Sequence, residues 1–187
     1  MIDILLLVGK TCSGKTTIEQ ELIKKGMKSV VSYTTRPKRE GEIEGINYHY
    51  ISEKEFLEKE LEGFFAETTS YNVASHETWY YGSAMEDLTD NKVMIINPEG
   101  LREIKEMTTI NPIAFYIMAN DKTIWERLIE RGDNLKETKR RIKADKNDFE
   151  NIDNYVDFSF RNDLGLKPEA IAEMILYTYR KVRGEEK

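Results

Sequence analysis

The sequence predicts an α/β fold in which helices cover both faces of a parallel sheet. Residues 4–8 form an apolar run without alternation, which is typical of a central parallel strand. A glycine-containing loop and a helical pattern follow that strand directly. After residue 90, apolar strands and amphipathic helices continue to alternate. These three observations together indicate a sheet built from strand–helix–strand crossovers.

The loop after the first strand matches a phosphate-binding pattern. Residues 9–16 read Gly-Lys-Thr-Cys-Ser-Gly-Lys-Thr, which fits G-x-x-x-x-G-K-[ST]. The two glycines allow main-chain N–H groups to turn inward and form an anion seat at the start of a helix. The Lys15 ammonium suits the β- and γ-phosphates, and the Thr16 hydroxyl suits Mg²⁺. We therefore expect an ATP site with Mg²⁺ on Thr16, formed by Gly9, Lys10, Thr11, Cys12, Ser13, Gly14, Lys15, Thr16 and Thr17.

The first crossover follows from apolar periodicity. Thr16–Lys25 is predicted as a helix, with Ile18 and Leu22 on its apolar face, and Gly26 is expected to end it. Ser29–Tyr33 is predicted as the next strand. The order of strand, phosphate loop, helix and strand is that of a P-loop NTPase-type sheet.

The pattern changes from Thr34 to about Leu88. Ser52–Glu55 is expected to open a helix as a capping box. The aromatic segments Phe64–Glu67 and Trp79–Ser83 flank a polar stretch. Open α/β sheets bind ligands at the carboxyl ends of their strands, so we expect residues 32–89 to form an inserted substrate-binding lobe there.

The core pattern then resumes. Lys92–Ile96 and Ile113–Met118 are predicted strands, and Asn120 and Asp121 are expected to cap the helix after the second strand. The last strand is predicted at Tyr155–Phe160, and the closing helix at Pro168–Val182. We expect a single domain over residues 1–187, with its core in 1–31, 90–130 and 147–187, an acceptor-binding lobe in 32–89 and a helical lid in 131–146.

Composition restricts the possible partners. The chain has 187 residues, and its formal net charge of -6 argues against a general polyanion-binding surface, so no nucleic acid partner is expected. No apolar run is long enough to cross a bilayer, and no secretory signal begins the chain. Cys12 is the only cysteine, which excludes an internal disulfide. These features favour a cytoplasmic protein, and the sequence leaves its oligomeric state open.

Arginines mark two further candidate phosphate contacts. Arg36 and Arg39 follow a predicted core strand, and Thr34, Thr35 and Pro37 favour a turn there. A second group follows a predicted core helix and consists of Arg131, Arg140 and Arg141. Guanidinium is planar, permanently charged and bidentate towards phosphate. For the lysines of residues 136–146, an ordinary solvated charged face is the better interpretation.

Over nearly its whole length, the chain resembles guanylate kinases. The most similar segment runs from Ser32 to Glu42 and is followed by Gly45–Tyr50. The resemblance implies transfer of the γ-phosphoryl of ATP to the phosphate of GMP or dGMP, with Mg²⁺. It assigns catalytic roles to Lys15, Arg39, Arg131 and Arg141. It assigns GMP binding to Ser32, Arg36, Arg39, Tyr48, Glu67, Tyr81, Ser83 and Asn97.

Within this resemblance, Glu67 matches the residue that reads the guanine base, and Ser83 matches the residue that faces O6. A carboxylate suits guanine because the N1 and N2 positions both present donors, whereas adenine N1 is an acceptor. The other acceptor residues, apart from Asn97, match positions that hold the acceptor phosphate.

The chain departs from the family pattern at three places. Ile95 and Asn97 stand where the family usually has two aspartates, and residues 72–78 are longer than the usual turn. A different acceptor, either another nucleotide or a phosphosugar, is therefore an alternative. A non-catalytic binding module of the same fold is a further alternative, but such modules lack the phosphate loop, and here the loop is intact.

Overall fold

The computed structural model describes residues 1–73, 77–130 and 135–186. In chain order, the strands are β1 (Ile2–Val8), β2 (Lys28–Ser29), β3 (Tyr33–Thr34), β4 (His49–Tyr50), β5 (Phe65–Asn72), β6 (Thr78–Ala84), β7 (Lys92–Ile95), β8 (Ile110–Met118) and β9 (Phe158–Arg161). The helices are α1 (Lys15–Lys24), α2 (Glu53–Leu61), α3 (Pro98–Glu106), α4 (Asp121–Glu130), α5 (Leu135–Asp148) and α6 (Pro168–Val182).

Five strands form a parallel sheet in the order β2, β7, β1, β8, β9. β1 lies at its centre, and Ile4, Leu5, Leu6, Leu7 and Val8 have no exposed side-chain surface. Alternate residues of such a strand point to opposite faces, so both faces of the sheet must be covered. This explains why the run is apolar without alternation.

Helices cover the two faces of this sheet. On one face, Leu5 and Leu7 pack with Ile18 and Leu22 of α1 and with Ile175 of α6. The other face packs Ile4, Leu6 and Val8 of β1 against Leu101 and Ile104 of α3. The predicted α/β fold, with a parallel sheet between helices, is confirmed.

A second, mixed sheet lies between β2 and β7 in the chain. Its strand order is β4, β3, β6, β5; β3 and β4 are parallel, and the other pairs are antiparallel. β5 and β6 pair from Phe65–Ala84 to Asn72–Thr78, with a register shift between Phe65 and Glu67, so both described ends of the polar stretch belong to a hairpin. Ser52 caps α2 by accepting a hydrogen bond from the Glu55 N–H, as the capping box predicts.

The prediction of one strand over Ser29–Tyr33 is wrong. β2 pairs with β7 in the parallel sheet, whereas β3 pairs with β4 and β6 in the second sheet. The Val30 N–H still donates to the Val93 carbonyl, but the Ser32 carbonyl accepts from the His49 N–H. The chain therefore changes sheets within three residues, and Ser32 stands at the change.

Other boundaries differ by a few residues. β9 begins at Phe158 rather than Tyr155, and α5 extends to Asp148. Asn120 caps α4 by accepting a hydrogen bond from the Thr123 N–H at 2.8 Å, as predicted. Within the described ranges, no helix has the length and apolar character needed to cross a membrane.

Candidate active site

The phosphate loop joins β1 to α1, and close packing explains its two glycines. Gly14 has a φ of 96°, a conformation that favours glycine, and a Cβ there would lie 2.1 Å from Asn162 Nδ2. A Cβ on Gly9 would lie 2.6 Å from both the Ile117 carbonyl oxygen and Ser13 Oγ. Any side chain at either position would therefore displace the loop or its neighbours.

Lys15 is held at the mouth of this loop. Its ammonium donates to the carbonyl of Gly9 and, at 3.0 Å, to the carbonyl of Lys10. Burial lowers the pKa of Lys15 to about 8, while the nearby carboxylate of Asp145 opposes this change. At neutral pH the side chain is still mainly a cation, surrounded by oxygen atoms that a phosphate can replace.

Two residues that the sequence analysis missed fix the shape of the loop. Arg127 of α4 donates to the carbonyls of Cys12 and Ser13, at 3.2 and 3.0 Å, and to the carbonyl of Asn162 at 2.8 Å. Asn162 Nδ2 donates to the Ser13 carbonyl at 2.8 Å. Arg127 resembles any charged helix residue in the sequence, so no local signal distinguishes it.

A cavity of about 310 Å³ adjoins the outer side of the loop. Asn162 is 1% exposed, and its Oδ1 accepts no hydrogen bond from the described part of the chain. A buried acceptor of this kind favours a ligand that carries a donor. The cavity is lined by Cys12, Gly14, Lys15, Thr16, Thr17, Arg127, Glu130, Asn162 and Pro168.

Helix α5 contacts the inner side of the loop through Asp145. The main-chain N–H of Thr11 donates to Asp145 Oδ2 at 2.7 Å. An amide of the phosphate loop therefore already binds an oxygen anion, supplied by the chain itself. Asp145 lies in the stretch predicted as a charged lid, where no sequence pattern distinguishes it from its charged neighbours.

A second cleft, of about 290 Å³, brings most of the predicted acceptor residues to the phosphate loop. Gly9, Thr11 and Lys15 line it from the loop. Of the other predicted site residues, the cleft is lined by Ser32, Tyr48, Glu67, Tyr81, Asn97 and Arg141. Arg140 also lines it, whereas Arg36, Arg39 and Ser83 do not. Arg131 lies outside the described residues.

Glu67 is the buried carboxylate of this cleft, with 7% of its surface exposed. It pairs with Ser83 across β5 and β6, and Ser83 Oγ shares a 2.9 Å hydrogen bond with Ser32 Oγ. Burial raises the pKa of Glu67 to about 7, although hydrogen bonds to Ser83 oppose the rise. Near neutral pH the group therefore exists in both protonation states.

Arg36 is buried beside the cleft and is held by Glu42. Its guanidinium donates to Glu42 at 2.7 and 3.0 Å and is only 4% exposed. Burial alone would raise the pKa of Glu42, but hydrogen bonds from Arg36, the Arg39 N–H and Tyr50 outweigh it and lower the pKa to about 2. The side chain of Arg39 is exposed, and its main chain makes the contact.

Tyr48 connects this ion pair to the cleft. Its ring lies 5.3 Å from the Arg36 guanidinium carbon and 5.9 Å from the ring of Tyr81. Burial raises the pKa of Tyr48 to about 12, so its hydroxyl remains a hydrogen-bond donor at neutral pH.

Asn97, which lines the cleft, caps helix α3. Its Oδ1 accepts from the Gly100 N–H at 2.8 Å, and its Nδ2 donates to the Tyr71 hydroxyl at 2.8 Å. Strand β5 thus supplies a tyrosine that binds the amide at position 97. Ile95 also lines the cleft.

The parallel sheet, the loop ahead of α1 and the adjoining cleft define a nucleotide-binding protein of the α/β class. Within that class, the chain belongs to the guanylate kinase family. The family model described as guanylate kinase matches residues 2–175.

Individual relatives agree with this assignment. A guanylate kinase of Wolinella succinogenes is 37% identical over 144 residues, which cover 72% of this chain and 65% of that protein. A guanylate kinase of Helicobacter pylori is 34% identical over 154 residues, covering 77% of this chain and 72% of the relative. The crystal structure of guanylate kinase from Anaplasma phagocytophilum matches with a TM-score of 0.69 at 22% identity, over 97% of this chain and 86% of that chain, and it supports the fold.

Proposed function

We propose that this chain transfers the γ-phosphoryl group of ATP to the phosphate of GMP or dGMP, giving ADP and GDP or dGDP. One observation carries the proposal: a single cleft is lined by Lys15 of the phosphate loop and by Ser32, Tyr48 and Glu67 of the second sheet and its flanking segments. Direct transfer needs two anion sites that share a water-poor space, because the reactants must meet in line.

In this reaction, an oxygen of the GMP phosphate attacks the γ-phosphorus. The bond from the γ-phosphorus to the β,γ-bridging oxygen breaks, and ADP leaves with the electron pair. A phosphate monoester has its second pKa near ~6, so the attacking oxygen is already ionised at neutral pH. No strong general base is required from the protein.

Each group predicted for the site, whether it lines the cleft or not, has a proposed role that its chemistry suits. Lys15 would stabilise charge on the transferred phosphoryl, together with Arg141 and the lid residue Arg131. Arg36 and Arg39 would bind the acceptor phosphate with Tyr48, Tyr81 and Ser32. The carboxylate of Glu67 would accept from guanine N1 and N2, with Ser83 and Asn97 beside it.

ATP would bind through the loop from Gly9 to Thr17. The cavity that adjoins the outer side of the loop would take the adenine end of ATP, because Asn162 Oδ1, which no described residue satisfies, suits the adenine amino group. Glu130 and Pro168 line the same cavity and would lie beside that base.

The donor set fits a Mg²⁺ ion that arrives with ATP. Among the described residues, no three His, Cys, Asp or Glu side chains cluster as a metal cage, and Thr16 lies exposed at the start of α1. Mg²⁺ usually keeps several waters and binds through substrate phosphates and few protein ligands. The Thr16 hydroxyl would hold it, and the ion would neutralise charge on the β- and γ-phosphates.

A coupled assay of ADP release tests the proposal. The protein is supplied with Mg²⁺-ATP and, in separate reactions, with GMP, dGMP, AMP, UMP, CMP or dTMP. We expect turnover with GMP and dGMP only. Absence of ADP above background with both guanine nucleotides would overturn the proposal, and turnover with another nucleotide alone would identify a different acceptor. Calorimetry with ATP distinguishes a kinase from a binding module that lacks an ATP site.

A further inference from the structure

The first turn of α3 runs directly against the side chain of Glu67. A Cβ built on Gly100 would lie 2.6 Å from Glu67 Oε2 and 3.2 Å from Glu67 Cδ. Real Cβ atoms do not approach an oxygen this closely, so the carboxylate occupies space that exists only because Gly100 has no side chain. On another side, Ile96 Cγ1 would lie 3.1 Å from the same Cβ and closes this space.

The backbone does not explain this glycine. Gly100 lies within α3 and is not among the glycines with positive φ, so its conformation accepts any residue. A glycine inside a helix also destabilises the helix relative to alanine. The glycine is therefore explained by the space beside Glu67. An alanine there would displace the end of this flexible side chain while leaving the helix intact.

We propose that Gly100 is a positioning residue for base recognition. Its missing side chain lets the Glu67 carboxylate lie beside Ser83 and face the acceptor cleft, which is the 290 Å³ cleft where GMP is proposed to bind. This inference rests on the proposed function. Glu67 is 7% exposed and pairs with Ser83 across the hairpin, so in the wild type its carboxylate is buried in the cleft wall between Ser83 and Gly100. Displacing it removes the two acceptor atoms that suit guanine N1 and N2.

The Gly100→Ala variant tests the role in catalysis. We expect its KM for GMP to rise about tenfold, since the Glu67 carboxylate, which accepts charge-assisted hydrogen bonds, moves away from the guanine base. We expect kcat and the KM for ATP to change less than about twofold, and the melting temperature to stay equal or rise. The preference for GMP over inosine monophosphate, which lacks the 2-amino group, should fall. Glu106→Ala, exposed in the last turn of the same helix, is the control.

A double-mutant cycle with Glu67→Asp sharpens this test. Aspartate is one methylene shorter, so an alanine at position 100 should clash less with it. We expect Gly100→Ala to raise the KM for GMP about tenfold in the wild type but less than about threefold in the Glu67→Asp background. Equal effects in both backgrounds, or an unchanged KM for GMP in a folded Gly100→Ala variant, would overturn the proposal.

A measurement without substrate separates this inference from the proposed function. The titration of the Glu67 carboxyl, followed by carbon NMR with Glu67→Gln for assignment, reports where the group lies. Burial holds the pKa of Glu67 at about 7, and Gly100→Ala should shift it downward as the carboxyl moves towards water. An unshifted titration would refute the positioning role even if GMP is phosphorylated. A shifted titration would support it even if the wild type fails to phosphorylate GMP.

Discussion

The phosphate loop and the acceptor cleft are neighbouring regions that are built in opposite ways. The loop is a continuous run of nine residues, Gly9 to Thr17, whose pattern lies in adjacent residues, with Arg127 and Asn162 holding its carbonyls. The cleft takes its side chains from β5, β6, α3, α5 and the segments beside β3 and β4. The residues of one region are therefore adjacent in the chain, whereas those of the other come together only when distant elements pack.

The two regions also differ in the groups that hold their charged side chains. In the loop, the Lys15 ammonium is held by two carbonyl oxygens, and the nearby Asp145 carboxylate raises its pKa. Beside the cleft, the buried cation Arg36 is held by Glu42, and in the cleft the buried acid Glu67 is held by Ser83. A change in the loop should therefore affect chemistry, whereas a change in the cleft should affect both recognition and stability.

The largest expected effect is that of Lys15→Ala. Removing the ammonium deletes charge stabilisation of the transferring phosphoryl, so kcat should fall about a thousandfold with the fold retained. Coupled ADP assays and thermal melting measure the two properties. Lys24→Ala, which removes an exposed cation from the same helix, should keep wild-type turnover. If Lys15→Ala retained a tenth of the activity, the Lys15 ammonium would not have its proposed catalytic role.

Arg36→Ala should have the next largest effect. It removes the proposed phosphate ligand and leaves Glu42 without its main partner, so the KM for GMP should rise about a hundredfold and unfolding should cost about 3 kcal/mol less. Steady-state kinetics and urea denaturation give the two values, and the exposed Lys38→Ala is the matched control. Loss of stability with an unchanged KM would make Arg36 purely structural.

The acceptor cleft should also depend on pH through Glu67. Since its pKa is about 7 in the folded protein, the ionised form falls about tenfold between pH 8 and pH 6, and the KM for GMP should rise by about that factor. The GMP phosphate titrates near ~6 as well, so the comparison is with Glu67→Gln, which retains only the substrate's contribution. Identical pH profiles for the two proteins would contradict the role of Glu67.

The same pKa has a consequence for stability. The folded protein holds the Glu67 proton more tightly than the unfolded chain, where the pKa is 4.5. Through this group the free energy of unfolding should therefore decrease as pH rises from 4.5 to 7 by up to about 3 kcal/mol. Glu67→Gln should remove this part of the slope, while Glu19, whose pKa burial also raises to about 7, retains its own part. Urea denaturation at several pH values measures it.

The smallest expected effect comes from Asp145→Asn, which tests whether the two regions are independent. The Asp145 carboxylate binds the Thr11 N–H, which ATP phosphates would use, so ATP must displace a negative charge. The neutral amide should lower the KM for ATP about threefold, with a larger effect at low salt. Glu150→Gln removes one exposed negative charge nearby and should leave that KM unchanged. A raised KM would mean that Asp145 assists binding.

Local patterns predicted the fold well wherever neighbouring residues decide the structure. The closing helix begins at Pro168 and ends at Val182, as its apolar periodicity predicts. The predicted strand over Ser29–Tyr33 failed because strand propensity does not reveal pairing partners. Its two ends hydrogen-bond to different sheets, and only the completed fold supplies those partners.

The sequence by itself determined the strand, the phosphate loop and the helix that follows, because their geometry arises from residues that are adjacent in the chain. Only the tertiary structure decided that Arg127 clamps the loop, that Asp145 binds Thr11 and that Gly100 makes room for Glu67. These contacts join residues that are 33 to 134 positions apart. Their energy depends on distances of a few ångströms, which arise only when separate helices and sheets pack together.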